Sequence, residues 1–196
     1  LKTLGGLKDL KAIIHTASPP VTGNLNDLVN VNYTALKSIT EQVLPQMLIN
    51  QDGVIALLGS SAMITQVDGF EDYAASKSMA ANYLAGIDKK YSFYGVEGKV
   101  HAPTFVSTKY SKKFRGKSQS LIPSEVAVEV FDLINQSKDF MRIQNIGSVV
   151  NGKFGFSNSK SLNINNQEYS NEKPQTKQSK TLNYDEISER LIFCLK

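Results

Sequence analysis

The chain has a single cysteine, Cys194, in 196 residues, which excludes an internal disulfide and makes a reducing compartment the simplest reading. It lacks any apolar run approaching the roughly 18 residues that a membrane-spanning helix needs. Its opening, Leu1-Lys-Thr-Leu-Gly-Gly6, has neither the apolar core of a secretory signal nor an initiator methionine. The expectation is a cytoplasmic protein without a membrane span, of which this sequence is a part. A strong excess of one charge is also missing. The net charge of +4 is too mild to argue for a nucleic-acid partner. Lys109, Lys112, Lys113, Arg115 and Lys117 do cluster, but no recognised nucleic-acid motif surrounds them. They read either as a solvated loop or as a basic rim for an acidic partner or substrate. No metal site is expected. What remains, 41% hydrophobic and 20% charged residues, suits one globular domain with a sizeable core.

The stretch that carries chemistry runs from Val54 to Lys77. Val54-Ile-Ala-Leu-Leu58 reads as a buried strand ending in the hydroxyl residues Ser60 and Ser61. A loop follows, and a helix rich in small residues opens at Tyr73. Tyr73 and Lys77 lie four apart, so phenol and ammonium share one helix face. A serine at a strand end can hydrogen-bond a substrate oxygen, and a tyrosine beside it can donate a proton to that oxygen. Moving a phenol from its usual pKa near 10 to about 7 needs roughly 4 kcal/mol. An ammonium about 4 Å away, at an effective dielectric near 20, supplies about that much. The same Tyr-x-x-x-Lys spacing recurs at Tyr33/Lys37 and Tyr169/Lys173, but only Tyr73/Lys77 follows a serine-tipped strand.

The rest of the chain alternates in the same manner. Lys11–His15 reads as a short strand broken by Pro19 and Pro20. Leu25, Leu28, Val29, Leu36, Ile39, Val43 and Met47 give helical periodicity over residues 25–48, with Asn32 in the middle and Pro45 weakening the last turn. In the loop 59–72, Met63, Ile64, Val67 and Phe70 either line a pocket or belong to the core. Lys99–Pro103 reads as a strand, Pro123–Ser137 as a helix with Ser124 as N-cap, and Ile146–Val150 as a last strand. After Phe156 the composition turns polar. Residues 157–182 read as a linker, and 183–196 as an amphipathic helix that either docks on the domain or begins a carrier-like one.

Taken in order, these pieces resemble the short-chain dehydrogenase/reductase family, and within it the 3-oxoacyl-carrier-protein reductases, from about Leu10 to Gly152. Ile13-Ile14-His15-Thr16-Ala17-Ser18 is similar to the family strand that ends in Asn-Asn-Ala-Gly. Val31-Asn32-Tyr33 is similar to its central helix. Gly59-Ser60, thirteen residues before Tyr73, matches the catalytic serine, and Ala102-Pro103-Thr104-Phe105-Val106-Ser107-Thr108 the strand and turn over the nicotinamide. Thr104 stands where the family has a glycine, so the turn there is expected to differ.

The resemblance implies a Rossmann-like α/β fold, a doubly wound parallel sheet of which residues 1–156 are the C-terminal portion. It implies Ser60, Tyr73, Lys77 and Asn32 as catalytic residues. Asn32 would open its helix locally and hold a water. Tyr73, Lys77, Pro103, Val106, Thr108 and Ala17 would contact NADP or NAD. His15 has a hydrogen-bonding rather than a catalytic role in this scheme, and residues 109–120 form a substrate lid. The implied partners are a small-molecule or carrier-bound carbonyl substrate and further copies of the chain, as a homodimer or homotetramer packed through the Tyr73 helix. Neither Gly-x-x-x-Gly-x-Gly nor Gly-x-Gly-x-x-Gly occurs in the sequence. The half that binds the adenine end is therefore expected to precede Leu1. A catalytically silent scaffold of the same fold is the competing reading.

Overall fold

The computed structural model describes residues 9–65, 67–109, 111, 120–135, 138–145 and 147–152. Five strands form one sheet in sequence order: β1 (Ala12–His15), β2 (Gly53–Leu58), β3 (Val96–Pro103), β4 (Met141–Asn145) and β5 (Ser148–Gly152). The first four pair in parallel and β5 returns antiparallel to β4. Helices α1 (Leu25–Val29), α2 (Ala35–Asn50), α3 (Glu71–Tyr91) and α4 (Pro123–Asn135) cover it.

The main core lies on one face. Leu36, Val43, Leu44 and Met47 of α2 and Leu84 and Ile87 of α3 pack onto Ile55 and Leu57 of β2 and Val100 of β3. A smaller cluster lies on the other face, where Val126 and Val130 of α4 meet Leu121, Leu58 and Val106. Side chains alternate along a strand, so Leu57 faces the large core and Leu58 the small one. Helices on both faces of a mostly parallel sheet are the Rossmann-like arrangement.

Local chemistry sets the boundaries and corrects several expectations. Helix α3 starts at Glu71, two residues before Tyr73. The Glu71 carboxylate accepts the Gly69 N–H at 3.0 Å, and the acidic Glu71 and Asp72 sit at the positive end of the helix dipole. Pro45 lies inside α2, which runs to Asn50 and stops at Gln51 in the left-handed region (φ 53°). Thr104 needs no positive φ; Gln51 is the sole non-glycine with one among the described residues. Helix α4 begins at Pro123, so Ser124 lies inside its first turn and is not the cap. Instead the Glu125 carboxylate accepts the Ile122 N–H at 3.1 Å.

The largest correction is at the end of the sheet. The expected single strand 146–150 is a hairpin, β4 and β5, turning at Gly147 (φ 72°). Strand β4 carries Arg142 and Gln144 into the protein. Arg142 is held by Glu129 (3.0 Å) and Asp132 (2.6 Å) of α4, and Gln144 by His101 (2.9 Å). Residues 157–196 lie outside the described residues, as do Tyr110 and residues 112–119 of the basic loop.

Candidate active site

A cavity of about 480 Å³ opens at the C-terminal ends of β1, β2 and β3. Its wall includes Ser18, Ser60, Tyr73, Lys77, Pro103 and Thr108. Parallel strands all end on the same side, so residues far apart in sequence meet there.

Ser60 follows β2. The Gly59 N–H donates to His101 O at 2.7 Å, which ties this end of β2 to β3. Ser60 then starts a short 3₁₀ turn, Ser61–Met63, with its Oγ accepting the Ala62 N–H at 3.2 Å. Ser60 and Ser18 lie beside the Tyr73 phenol in the cavity wall, where their hydroxyls act to lower its pKa. The edge of the Phe70 ring meets Tyr73 with centroids 6.5 Å apart. Lys77, one turn along α3, is 2% exposed; its Nζ donates to Leu58 O at 3.0 Å and lies 5.9 Å from the centre of the Tyr73 ring.

Asn32 lies behind this group. Residues 30–34 form a π-helical turn between α1 and α2, the local opening that the family resemblance implies. Asn32 is fully buried, and its Nδ2 donates to Ser76 Oγ at 2.9 Å. Ser76 Oγ in turn donates to the Tyr73 carbonyl at 2.8 Å. Asn32 Oδ1 is buried with no hydrogen-bond partner among the described residues.

The electrostatics differ from the expectation that Lys77 draws the phenol toward 7. Burial pushes the Tyr73 phenol above its usual value, against the lowering effect of the Ser60 and Ser18 hydrogen bonds. Burial also depresses the Lys77 ammonium from 10.5 to about 8. In this arrangement desolvation dominates both groups, and the phenol is protonated at neutral pH.

The Lys77 shift has a consequence for stability. A move from 10.5 to about 8 corresponds to roughly 3 kcal/mol against the charged form. Between about pH 8 and 10.5 the unfolded chain binds this proton more tightly than the folded chain does, so stability rises with pH across that window. Below pH 8 the penalty is present in full. Lys77→Met is therefore expected to raise the urea midpoint at pH 7 and to flatten the rise above pH 8. A lower midpoint at pH 7 would show that the Leu58 hydrogen bond outweighs desolvation.

The other expected residues distribute unevenly. Pro103, Val106 and Thr108 line the cavity, whereas Ala17 is exposed and Thr16 and Ser18 take its place in the wall. Val106 pairs with Leu121 through bonds carried by its neighbours Phe105 and Ser107, which leaves its own N–H outside that pairing. Thr108 is occupied by Ser111, whose Oγ accepts the Thr108 N–H at 2.8 Å and donates to Val106 O at 2.6 Å. Val67 and Phe70 line the cavity, Met63 packs on the main core instead, and Ile64 is exposed. Tyr33 stacks edge-on against Tyr83, and Lys37 pairs with Glu41 at 3.5 Å, so that Tyr-Lys pair is structural.

A family model described as short chain dehydrogenase matches residues 16–119, more than half of the chain. The chain belongs to the short chain dehydrogenase family. Very-long-chain 3-oxoacyl-CoA reductase-B of Danio rerio is 29% identical over 94 residues, covering 48% of this chain and 30% of that protein. A very-long-chain 3-oxoacyl-CoA reductase of Caenorhabditis briggsae is 33% identical over 95 residues, with 47% and 30% covered. The match thus spans under a third of these relatives' length. A short chain dehydrogenase from Burkholderia cenocepacia, solved in complex with NADP, superposes with a TM-score of 0.65 at 16% identity, over 74% of this chain and 63% of that one. One from Sphingobium yanoikuyae, in complex with NADPH, gives 0.59 at 19%, over 68% and 56%.

For a short chain dehydrogenase, Ser18 and Ser111 are the residues that sequence reasoning missed. Ser18 stands where the motif has glycine, and nothing in its neighbourhood advertises a contact with Tyr73, fifty-five positions away.

The cavity suits the nicotinamide end of a dinucleotide. Lys77 offers three N–H donors and spends one on Leu58 O. Phe70, Phe105 and Val106 supply apolar wall for a flat ring, and Ser60 and Tyr73 supply hydroxyls beside it.

Proposed function

We propose that the full-length protein is an NAD(P)-dependent oxidoreductase that moves a hydride between nicotinamide and a carbonyl or alcohol substrate. The observation that carries this reading is that Ser60, the Tyr73 phenol and the buried Lys77, one turn along the same helix, share the wall of one cavity. When bound, the reduced nicotinamide supplies the hydride. Lys77 would hold its ribose hydroxyls, and the Val106 N–H and Thr108 would face its carboxamide.

The chain's own residues handle the proton. Ser60 Oγ orients the carbonyl oxygen by a hydrogen bond. Tyr73 Oη donates its proton to that oxygen during reduction and takes it back during oxidation. A phenol kept protonated by burial is suited to the donor role. The phenolate left behind would be stabilised by Lys77 and by the Ser60 and Ser18 hydroxyls. Asn32, tied through Ser76 to the turn bearing Tyr73, holds its unpartnered Oδ1 for a water that restores the proton.

The substrate class we favour is a 3-oxoacyl thioester, on a carrier or on coenzyme A. The names of the relatives support it, as does the basic composition of the sequence at 109–117, which suits an anionic substrate. We further propose a homodimer or homotetramer. Ser76, Ala80 and Ala81 are already buried within the chain, so a partner copy would meet the exposed Ala75 and Met79 of α3. No helix among the described residues is long and apolar enough to cross a membrane.

The test is titration of NADPH and NADH fluorescence with the full-length protein, followed by a 3-oxoacyl thioester. Saturable binding and thioester-dependent oxidation of the nicotinamide are expected. Neither coenzyme altering its fluorescence, with no oxidation, would leave the silent scaffold as the reading.

A further inference from the structure

We infer that His15 is a positioning residue that holds open the helical turn carrying Asn32. Its ring, and not the helix alone, sets where the Asn32 amide lies behind Tyr73. The inference rests on the proposed oxidoreductase reading, because only there does the placement of Asn32 bear on turnover.

His15 is the last residue of β1 and is 5% exposed. Its Nε2 lies 3.0 Å from the carbonyl oxygen of Val31. A carbonyl can only accept, so Nε2 carries the hydrogen. Val31 sits inside the π-helical turn, directly before Asn32. In an α-helix the Val31 carbonyl would take the Ala35 N–H, four residues on. Here the Ala35 N–H goes to Asn30 O instead. The turn has thus taken the Ala35 N–H away from Val31 O, and His15 gives that oxygen a donor from outside the helix. Leaving a carbonyl without a donor in this part-buried position is costly.

Two further contacts fix the direction of the effect. Asn32 Nδ2 donates to Ser76 Oγ and Ser76 Oγ to the Tyr73 carbonyl, so the turn is latched to α3 beside the phenol. Without the His15 donor, the segment regains an Ala35-to-Val31 bond only by winding back to α geometry. One residue of rewinding rotates a side chain by about 100°, which takes Asn32 off Ser76. Burial first and then the charge of Lys77 lower the pKa of His15, so the ring stays neutral with one N–H to give.

The experiment compares His15→Phe, which keeps an aromatic ring and removes the donor, with His15→Gln, which returns an N–H near the position of Nε2. Steady-state kinetics and amide hydrogen exchange are measured on the full-length protein. For His15→Phe, kcat is expected to fall about tenfold or more with KM within about threefold, and amide protection over residues 30–35 to fall about tenfold. His15→Gln is expected to keep both within about threefold of wild type. A residue that merely filled space would give the reverse order, with Phe benign and Gln harmful. In an Asn32→Ala background, His15→Phe is expected to cost no further kcat.

The inference is overturned if His15→Phe keeps its kcat and its protection, or if Gln fares no better than Phe. If the wild-type protein turned over no carbonyl while exchange at 30–35 still followed the Phe/Gln order, the function would fall and the role of His15 in holding the turn would stand.

Discussion

Tyr73→Phe is expected to lower kcat by about 10²–10⁴ while leaving nicotinamide binding within a few-fold of wild type. The substitution removes one oxygen and keeps the ring. The edge contact with Phe70 survives, and Lys77 keeps its hydrogen bond to Leu58 O. What disappears is the proton that would pass to the carbonyl oxygen, together with the partner of Ser60 and Ser18. Serine cannot take over, because its hydroxyl is a far weaker acid than a phenol. Stability should hold or rise slightly, since a buried hydroxyl is removed along with its desolvation cost. Paired measurements of kcat and of coenzyme fluorescence decide the matter. A variant with near-normal kcat would sink the assignment of Tyr73 as the acid, whatever its coenzyme affinity.

Gly98→Val should strongly destabilise the fold. Gly98 lies in β3 where α3 crosses it. A Cβ there would come 2.5 Å from the Leu84 carbonyl oxygen and 3.2 Å from its carbon. Both are backbone atoms of α3, so no side chain can swing aside, and the helix itself must lift from the sheet. Leu84 is fully buried in the main core, and lifting it opens that core. The Gly98 N–H also donates to the Asp88 carboxylate at 3.1 Å, a second tie to the same helix that the displacement breaks. Overpacking of this kind costs about 1–3 kcal/mol when neighbours can adjust and more when they cannot. An effect on the order of 4 kcal/mol is expected in urea unfolding, enough to leave a marginal domain substantially unfolded. A drop below about 1 kcal/mol would mean that α3 is free to slide on β3.

The sequence made the site more legible than its surroundings. Ser60, Tyr73 and Lys77 could be read because a strand end and a four-residue helical spacing are local patterns, and parallel topology then brings them together. Strand β4 was hidden because Arg142 and Gln144 interrupt its apolar run. Their partners, Glu129, Asp132 and His101, are distant in sequence or belong to another element. The start of α3 was misplaced by two residues because Glu71 and Asp72 look like loop residues until the dipole they face is in view. The acidity of Tyr73 ran opposite to the arithmetic of two charges at contact distance. Depth of burial depends on the whole fold and outweighs that pairwise attraction here.

Leu58 links the two sides of the sheet. Its side chain packs into the small cluster beneath α4, while its carbonyl oxygen holds the Lys77 ammonium. The anchorage of the cation is therefore set in part by how Val126 and Val130 fill the opposite layer. A methyl group gained or lost on the far helix would reach the Tyr73 hydroxyl as a small displacement of that anchor, passed on through Leu58 at the cavity wall.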